Sequence, residues 1–155
     1  MIELEIEYHV PAATADLARY HQAALWIAQR YRLKSLTASV SIVDDPTLHR
    51  LNREHLDHDW PTDVISFVFD NDAGNVDGEI IASLDTAARL ALQAGWPTAD
   101  ELLLYVIHGL LHLAGLNDIT PEDRSAMRHA EHACLVALAV PAAAHYLERW
   151  HSISY

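Results

Sequence analysis

The sequence predicts an α+β domain, a small four-stranded mixed sheet packed against about five helices, and three observations carry that prediction. Ile2, Leu4, Ile6, Tyr8 and Val10 alternate with Glu3, Glu5, Glu7 and His9, the period of two that marks a half-buried strand. Two further runs, Leu36 to Val43 and Asp63 to Phe69, are rich in β-branched and aromatic residues and separated from the first by helical stretches. From Asp85 onward the pattern is helical, interrupted only by caps and turns. The order β-α-β-α-β-β-α-α-α therefore combines one crossover with one hairpin, which an α+β architecture accommodates. At 155 residues, 51% hydrophobic and 21% charged, the chain is expected to form one globular domain over residues 1–155.

Each element has a local cause. Pro11 ends the first strand, and Thr14 is placed to cap a helix reaching about Tyr31, with Leu17, Tyr20, Ala24, Leu25, Ala28 and Tyr31 on one face. After the second strand, Asp44-Asp45-Pro46 opens a short helix carrying Leu48 and Leu51. Asp70 to Gly78 reads as turn chemistry throughout, and Glu79 to Ala82 as the fourth strand. Asp85 to Ala94 forms a helix closed by Gly95. Thr98 and Glu101 make a capping box for a helix reaching about Ala114, before Gly115. Thr120-Pro121-Glu122-Asp123 starts the last long helix, which Pro141 should kink or divide.

Composition narrows the function. The 10 basic and 22 acidic residues give a net charge of −12, which excludes a broad phosphate-coating surface. The single cysteine, Cys134, excludes an internal disulfide framework and a four-cysteine zinc site. The N-terminus lacks the basic and apolar regions of a signal peptide. The longest apolar run, Ala133 to Ala144, is broken by Pro141 and too short for a bilayer. A cytoplasmic protein is expected. The 11 histidines stand out from this background.

The informative stretch is Val106 to Asp118, VIHGLLHLAGLND. His108 and His112 are four apart, so a helix projects both imidazoles from one face. Gly115 lets the chain turn back, and Asp118 can then approach from a loop. Two imidazoles and a carboxylate are a normal protein ligand set for zinc, with a fourth position open for water, as in catalytic sites. Spacing alone does not separate this from two unrelated histidines, and Asp118 can equally close a turn or face solvent. Apolar neighbours Leu104, Ile107, Leu111 and Leu113 favour the metal, because imidazoles near a core need partners. Gly109 stands where an H-E-x-x-H protease keeps its glutamate base, so peptide hydrolysis by that route is excluded.

The run His108-Gly109-x-x-His112-Leu113-x-Gly115 resembles the motif of the bacterial YbeY family, metal-dependent endoribonucleases of ribosomal RNA maturation. Leu51-Asn52, Pro61-Thr62-Asp63-Val64-Ile65-Ser66-Phe67, Gly78-Glu79-Ile80-Ile81, Met127 and Glu131 are similar to further family segments in the same order, from about residue 40 to 135. The resemblance implies a small mixed sheet with flanking helices and a zinc-dependent, single-strand-specific endoribonuclease acting late at the small-subunit rRNA 3′ end. It further implies one Zn2+ per chain held by His108, His112 and Asp118, and single-stranded RNA and the small ribosomal subunit or its assembly proteins as partners. The chain departs from the family at Asp118, where the third metal histidine is expected, preceded by Leu116-Asn117 instead of Tyr-Asp, and at His55-Leu56, where a Tyr-Arg pair is expected whose arginine is thought to contact RNA. His58 falls on a position that is usually basic.

The resemblance places Asp63 and Ser66 along the active-site cleft, as candidates for proton transfer or substrate contact; a turn-closing aspartate and an ordinary serine are the alternatives. Arg50, Arg53 and Arg89 are the basic residues nearest the motif segments and the candidates for phosphate contacts. His55 and His58 with Asp57 and Asp59 form a His/Asp-rich loop, read as solvated. His129 and His132 read as helix surface, and Glu131 as a possible partner of a metal-bound histidine. Cys134 reads as a buried apolar residue and the four tryptophans as packing. A second function class, a ribosome-associated assembly factor with weak or no nuclease activity, is motivated by Leu56 and the acidity.

Overall fold

The computed structural model describes residues 1–11, 16–56 (the last two by backbone only), 64–141, 143 and 146–148. Four strands, β1 (Ile2–Tyr8), β2 (Ser35–Val43), β3 (Val64–Asp72) and β4 (Asn75–Ser83), form one sheet in the order β1-β2-β4-β3. β1 pairs parallel to β2 and β2 parallel to β4, while β3 returns antiparallel along β4 as an edge strand. Helices α1 (Leu17–Arg30), α2 (Asp45–Leu56), α3 (Leu84–Ala94), α4 (Thr98–Leu113) and α5 (Pro121–Ala137) complete the predicted order.

Alternation along the strands gives the sheet two different faces. Leu36, Ala38, Val40, Ile42, Val76 and Ile80 point to one side and join α1, α4 and α5 in the main core. Val43, Ile65 and Ile81 point to the other, where among the described residues Leu48 and Leu51 of α2 cover one end beside Phe67. α4 is the central helix. From Asp100 to Leu113 every residue is buried except His108 and His112, so one polar stripe opens in an otherwise enclosed element.

Several sequence expectations shift. Thr14 lies outside the described residues; the cap of α1 is Asp16, whose carboxylate accepts from Arg19 N at 3.2 Å. Leu17 and Leu25 are exposed, and Ala23 and Ile27 take the core face instead. Thr98 and Glu101 make no capping box: Pro97 is the N-cap, and Glu101 turns inward to accept from Trp96 Nε1 at 2.7 Å. Asp70 to Gly78 is mostly strand, and only Ala73 and Gly74, with φ of 50° and 87°, form the hairpin turn. Two left-handed residues in succession give a turn whose twist matches that of its strands. Pro141 does not divide α5, which ends at Ala137 with Leu138 as its C-cap.

Candidate metal centre

The C-terminal end of α4 builds the site. Gly115, at φ 111°, follows the helix; its N–H donates to His112 O and Leu116 N–H donates to Leu111 O, both at 3.0 Å. This is a Schellman closure, which requires the left-handed residue that glycine supplies without strain. The same turn brings Leu116 O within 3.0 Å of His112 Nδ1. Asn71 Nδ2 on β3 donates to Leu113 O at 3.3 Å and ties the helix end to the sheet. The connection to α5 then carries Asp118 back over the two imidazoles, and Thr120 caps α5 by accepting from Asp123 N at 3.0 Å.

The resulting geometry is compact. The Nε2 atoms of His108 and His112 lie 3.0 Å apart. Asp118 places Oδ2 3.5 Å from His108 Nε2 and Oδ1 3.7 Å from His112 Nε2. Two imidazoles and a carboxylate thus converge within 4.8 Å as a group that can hold a metal ion. Tetrahedral zinc with bonds of about 2.0–2.1 Å requires neighbouring donors about 3.3 Å apart, which these separations bracket.

Hydrogen bonding orients both rings. His112 Nδ1 faces a carbonyl, which only accepts, so Nδ1 carries the proton and Nε2 a lone pair. His108 Nδ1 lies 3.1 Å from Glu131 Oε1. Burial pushes the Glu131 carboxyl up, but the His108 hydrogen bond, the charges of His108 and Arg128 and the Tyr146 hydroxyl outweigh it and hold it below the usual range. Glu131 is therefore an ionised acceptor for His108 Nδ1–H, which turns His108 Nε2 toward His112 and Asp118. Either a proton shared between the two Nε2 atoms or a metal ion bound by both accounts for their 3.0 Å approach. Burial, aided by His108, lowers the His112 pKa against the opposing pull of Asp118, which keeps that ring neutral and available as a ligand.

Glu131 is fully buried and belongs to a wider network. Arg128 Nη1 donates to both its oxygens, at 2.7 and 3.3 Å, and Tyr146 Oη donates to Oε2. Glu131 was legible in the sequence as a histidine partner. Arg128, three residues earlier on α5, and Tyr146, beyond its end, carried no such signal.

The remaining candidates are dispersed. Ser66 stands opposite Ile80 in the β3–β4 register and so shares the α4 side of the sheet. Arg50 lines a groove on the other side, with Ser41, Thr47 and Phe67, and Arg89 pairs with Asp45 at 3.3 Å. Arg53 is exposed on α2. Asp63, His58, Asp57 and Asp59, and the side chains of His55 and Leu56, lie outside the described residues. His129 is exposed and bonds Ser125 O at 2.8 Å; His132 stacks on Tyr146 with centroids 6.4 Å apart. Cys134 is buried, its thiol pushed up to about 12 by desolvation. Among the described residues no helix is long and apolar enough to cross a membrane.

Fold and site together define a class: a small α+β domain with a candidate divalent-metal centre where a buried helix ends. The profile of the endoribonuclease YbeY family matches residues 4–139, and the chain belongs to that family of RNA-cleaving hydrolases. It is 46% identical over 106 residues to an endoribonuclease YbeY of Rhodopirellula baltica, an alignment covering 67% of this chain and 55% of that one. It is 36% identical over 138 residues to an endoribonuclease YbeY of Porphyromonas gingivalis, covering 86% and 90%. The solution structure of TM1509 from Thermotoga maritima shares the fold, with a TM-score of 0.61 at 22% identity over 93% of this chain and 95% of that one.

Proposed function

We propose that this chain is a zinc-dependent, single-strand-specific endoribonuclease that acts in the cytoplasm on ribosomal RNA, at the late 3′-end maturation of the small subunit. Residues 1–155 would form the single domain that does so. The observation that carries the metal reading is the convergence of His108 Nε2 and His112 Nε2, 3.0 Å apart, with the Asp118 carboxylate, all within 4.8 Å. Family membership supports RNA as the substrate.

When bound, zinc supplies Lewis acidity toward water and toward a phosphoryl oxygen. The protein's own contribution is to hold and orient. His108, His112 and Asp118 are the ligands in this proposal; Glu131 fixes the His108 ring and the Leu116 carbonyl that of His112. Gly109 leaves no base on the helix, since any β-carbon there would meet Ile80 side-chain atoms at 2.8 Å. Proton transfer is assigned to Asp63, which borders β3. Ser66 on the α4 side of the sheet, and Arg53 and Arg50 on α2, are proposed substrate contacts, with Arg50 lining the groove on the other side of the sheet.

Metal analysis by mass spectrometry and cleavage of a single-stranded RNA test the proposal together. One zinc per chain, lost in the His108→Ala, His112→Ala variant, and cleavage abolished by chelator are the expected results. A metal-free, folded and active protein would overturn it. The second reading, an assembly factor of the small subunit without strong nuclease activity, is favoured by Leu56 at the family's arginine position and by the net charge of −12. Metal-loaded protein that binds small subunits yet cleaves no RNA would select it.

A further inference from the structure

The sheet face turned away from α4 is built of rows. Glu3, Glu5 and Glu7 on β1 pair with Thr37, Ser39 and Ser41 on β2, and these in turn with Asp77, Glu79 and Ile81 on β4. Side-chain alternation sends all of them to the same side. Two rows of carboxylates thus flank a central row of hydroxyls, two interstrand spacings or about 10 Å apart. Phe67, opposite Glu79, and Phe69, which is 63% exposed, close the β3 side. Two adjoining grooves of about 610 and 750 Å³ follow the face and share Phe69. α2 covers only the end at Val43 and Ile81.

Ser41, 7% exposed, lines the groove of about 610 Å³ beside Glu7 and Arg50. Its side chain, like those of Thr37 and Ser39 in the same row, faces the grooves rather than the main core.

We propose that this face is a docking surface for an extended, arginine- or lysine-rich segment of a partner protein. Five carboxylates, Glu3, Glu5, Glu7, Asp77 and Glu79, face Arg50 and the rim histidines His9 and His21, so the charge is complementary to a cationic chain and repels phosphate. An extended chain repeats its side chains on one side every ~6.6–6.8 Å, the same interval as Glu3, Glu5 and Glu7, so alternate basic residues meet successive carboxylates in register. The hydroxyl row, ending at Ser41, offers partners to the backbone of that chain. Phe69 offers a face on which a guanidinium can stack. This surface is separate from the metal centre and does not depend on the nuclease reading.

The test uses the full chain and a fluorescein-labelled, ~8-residue peptide of alternating arginine and glycine, long enough to span β1. Anisotropy should show saturable binding that weakens at least about tenfold in Glu5→Gln, Glu79→Gln and also weakens between about 50 and 300 mM salt. The control variant Glu122→Gln, Asp123→Asn, at exposed or half-exposed positions on α5, should bind as the unaltered protein does. In the unaltered protein, amide shifts on titration should concentrate at Thr37, Ser39 and Ser41, a readout independent of whether any variant folds. Absence of binding, equal loss in the control variant, or shifts confined to other surfaces would overturn the proposal. So would a single-stranded RNA that shifts Thr37, Ser39 and Ser41 while the peptide does not.

Discussion

Replacing Glu131 by glutamine changes one atom in the hub that orients His108. The carboxylate accepts from His108 Nδ1 at 3.1 Å, from Arg128 Nη1 at 2.7 and 3.3 Å, and from Tyr146 Oη. Both oxygens are engaged by donors, so an amide NH2 at either position meets a donor. If it replaces Oε1, His108 loses its acceptor; if it replaces Oε2, Tyr146 must turn and the longer Arg128 contact becomes unfavourable. Hydrogen bonds to a charged group contribute about 1.5–3 kcal/mol each, so a loss of about 2 kcal/mol in stability is expected at neutral pH. Weakening the partner of a metal-binding histidine typically lowers metal affinity about 10–100-fold, or about 1.4–2.8 kcal/mol. Competition for zinc against a chromophoric chelator measures the affinity, and circular dichroism establishes that the variant is folded. Tyr146→Phe, which removes one donor and leaves His108 its acceptor, should lose less. A folded Glu131→Gln protein with zinc affinity within about twofold of the original would refute the positioning role.

Three further outcomes follow from the same coordinates. Zinc at about a thousand times its dissociation constant should stabilise the protein by about 4 kcal/mol, seen as a raised melting temperature that chelator reverses and the His108→Ala, His112→Ala variant lacks. Gly78→Ala should destabilise by about 2–3 kcal/mol, because its β-carbon would lie 2.5 Å from Leu113 Cδ2 and from the Phe67 carbonyl, and the latter is backbone that cannot turn aside; an unchanged urea midpoint would contradict this packing. Burial raises the Asp45 carboxyl, but hydrogen bonds from Ser83, Thr86 and Arg89 outweigh it and hold it below its ordinary value. A depressed folded-state pKa means stability present above the unfolded value of about 3.9 and lost as pH falls through the lower folded value. Asp45→Asn should therefore destabilise at neutral pH, with the difference shrinking below about pH 4; a constant difference across urea melts at each pH would exclude the assignment.

The order of elements and the convergence of His108, His112 and Asp118 were legible because they rest on local patterns. Period two, caps and an i, i+4 pair of histidines need no knowledge of what lies across the fold. The stretch from Asp70 to Gly78 was misread for an instructive reason. Asp70, Asp72, Asn75 and Asp77 are exposed strand residues, and Val76 is the only large apolar side chain to mark the buried row. Turn composition and an open strand face look alike in sequence, since both are solvated. Glu101 was misassigned in the opposite sense: its spacing from Thr98 fits a capping box, but Trp96 supplies a closer donor inside the core. Tyr146 could not be found at all, because its link to Glu131 spans 15 residues and crosses the end of α5.

The same misread stretch changes what the net charge means. Read as a loop, Asp77 and Glu79 belong to a solvated turn and a separate short strand; paired with β2, they become one of two carboxylate rows on a single face. The acidity is then unevenly placed. Around the metal centre the carboxylates are engaged, Glu131 by three donors and Asp118 beside two imidazoles. On the open face they stand in register with no cation of their own strand, and Arg50 is the neighbouring α2 residue that answers them. A strand of RNA approaching the α4 side meets imidazoles and a candidate cation, whereas one approaching the opposite side meets five carboxylates. The protein thus uses the two faces of one sheet differently: the imidazoles and candidate cation stand at the end of α4, and the carboxylate rows of the opposite face are left for a partner of opposite sign.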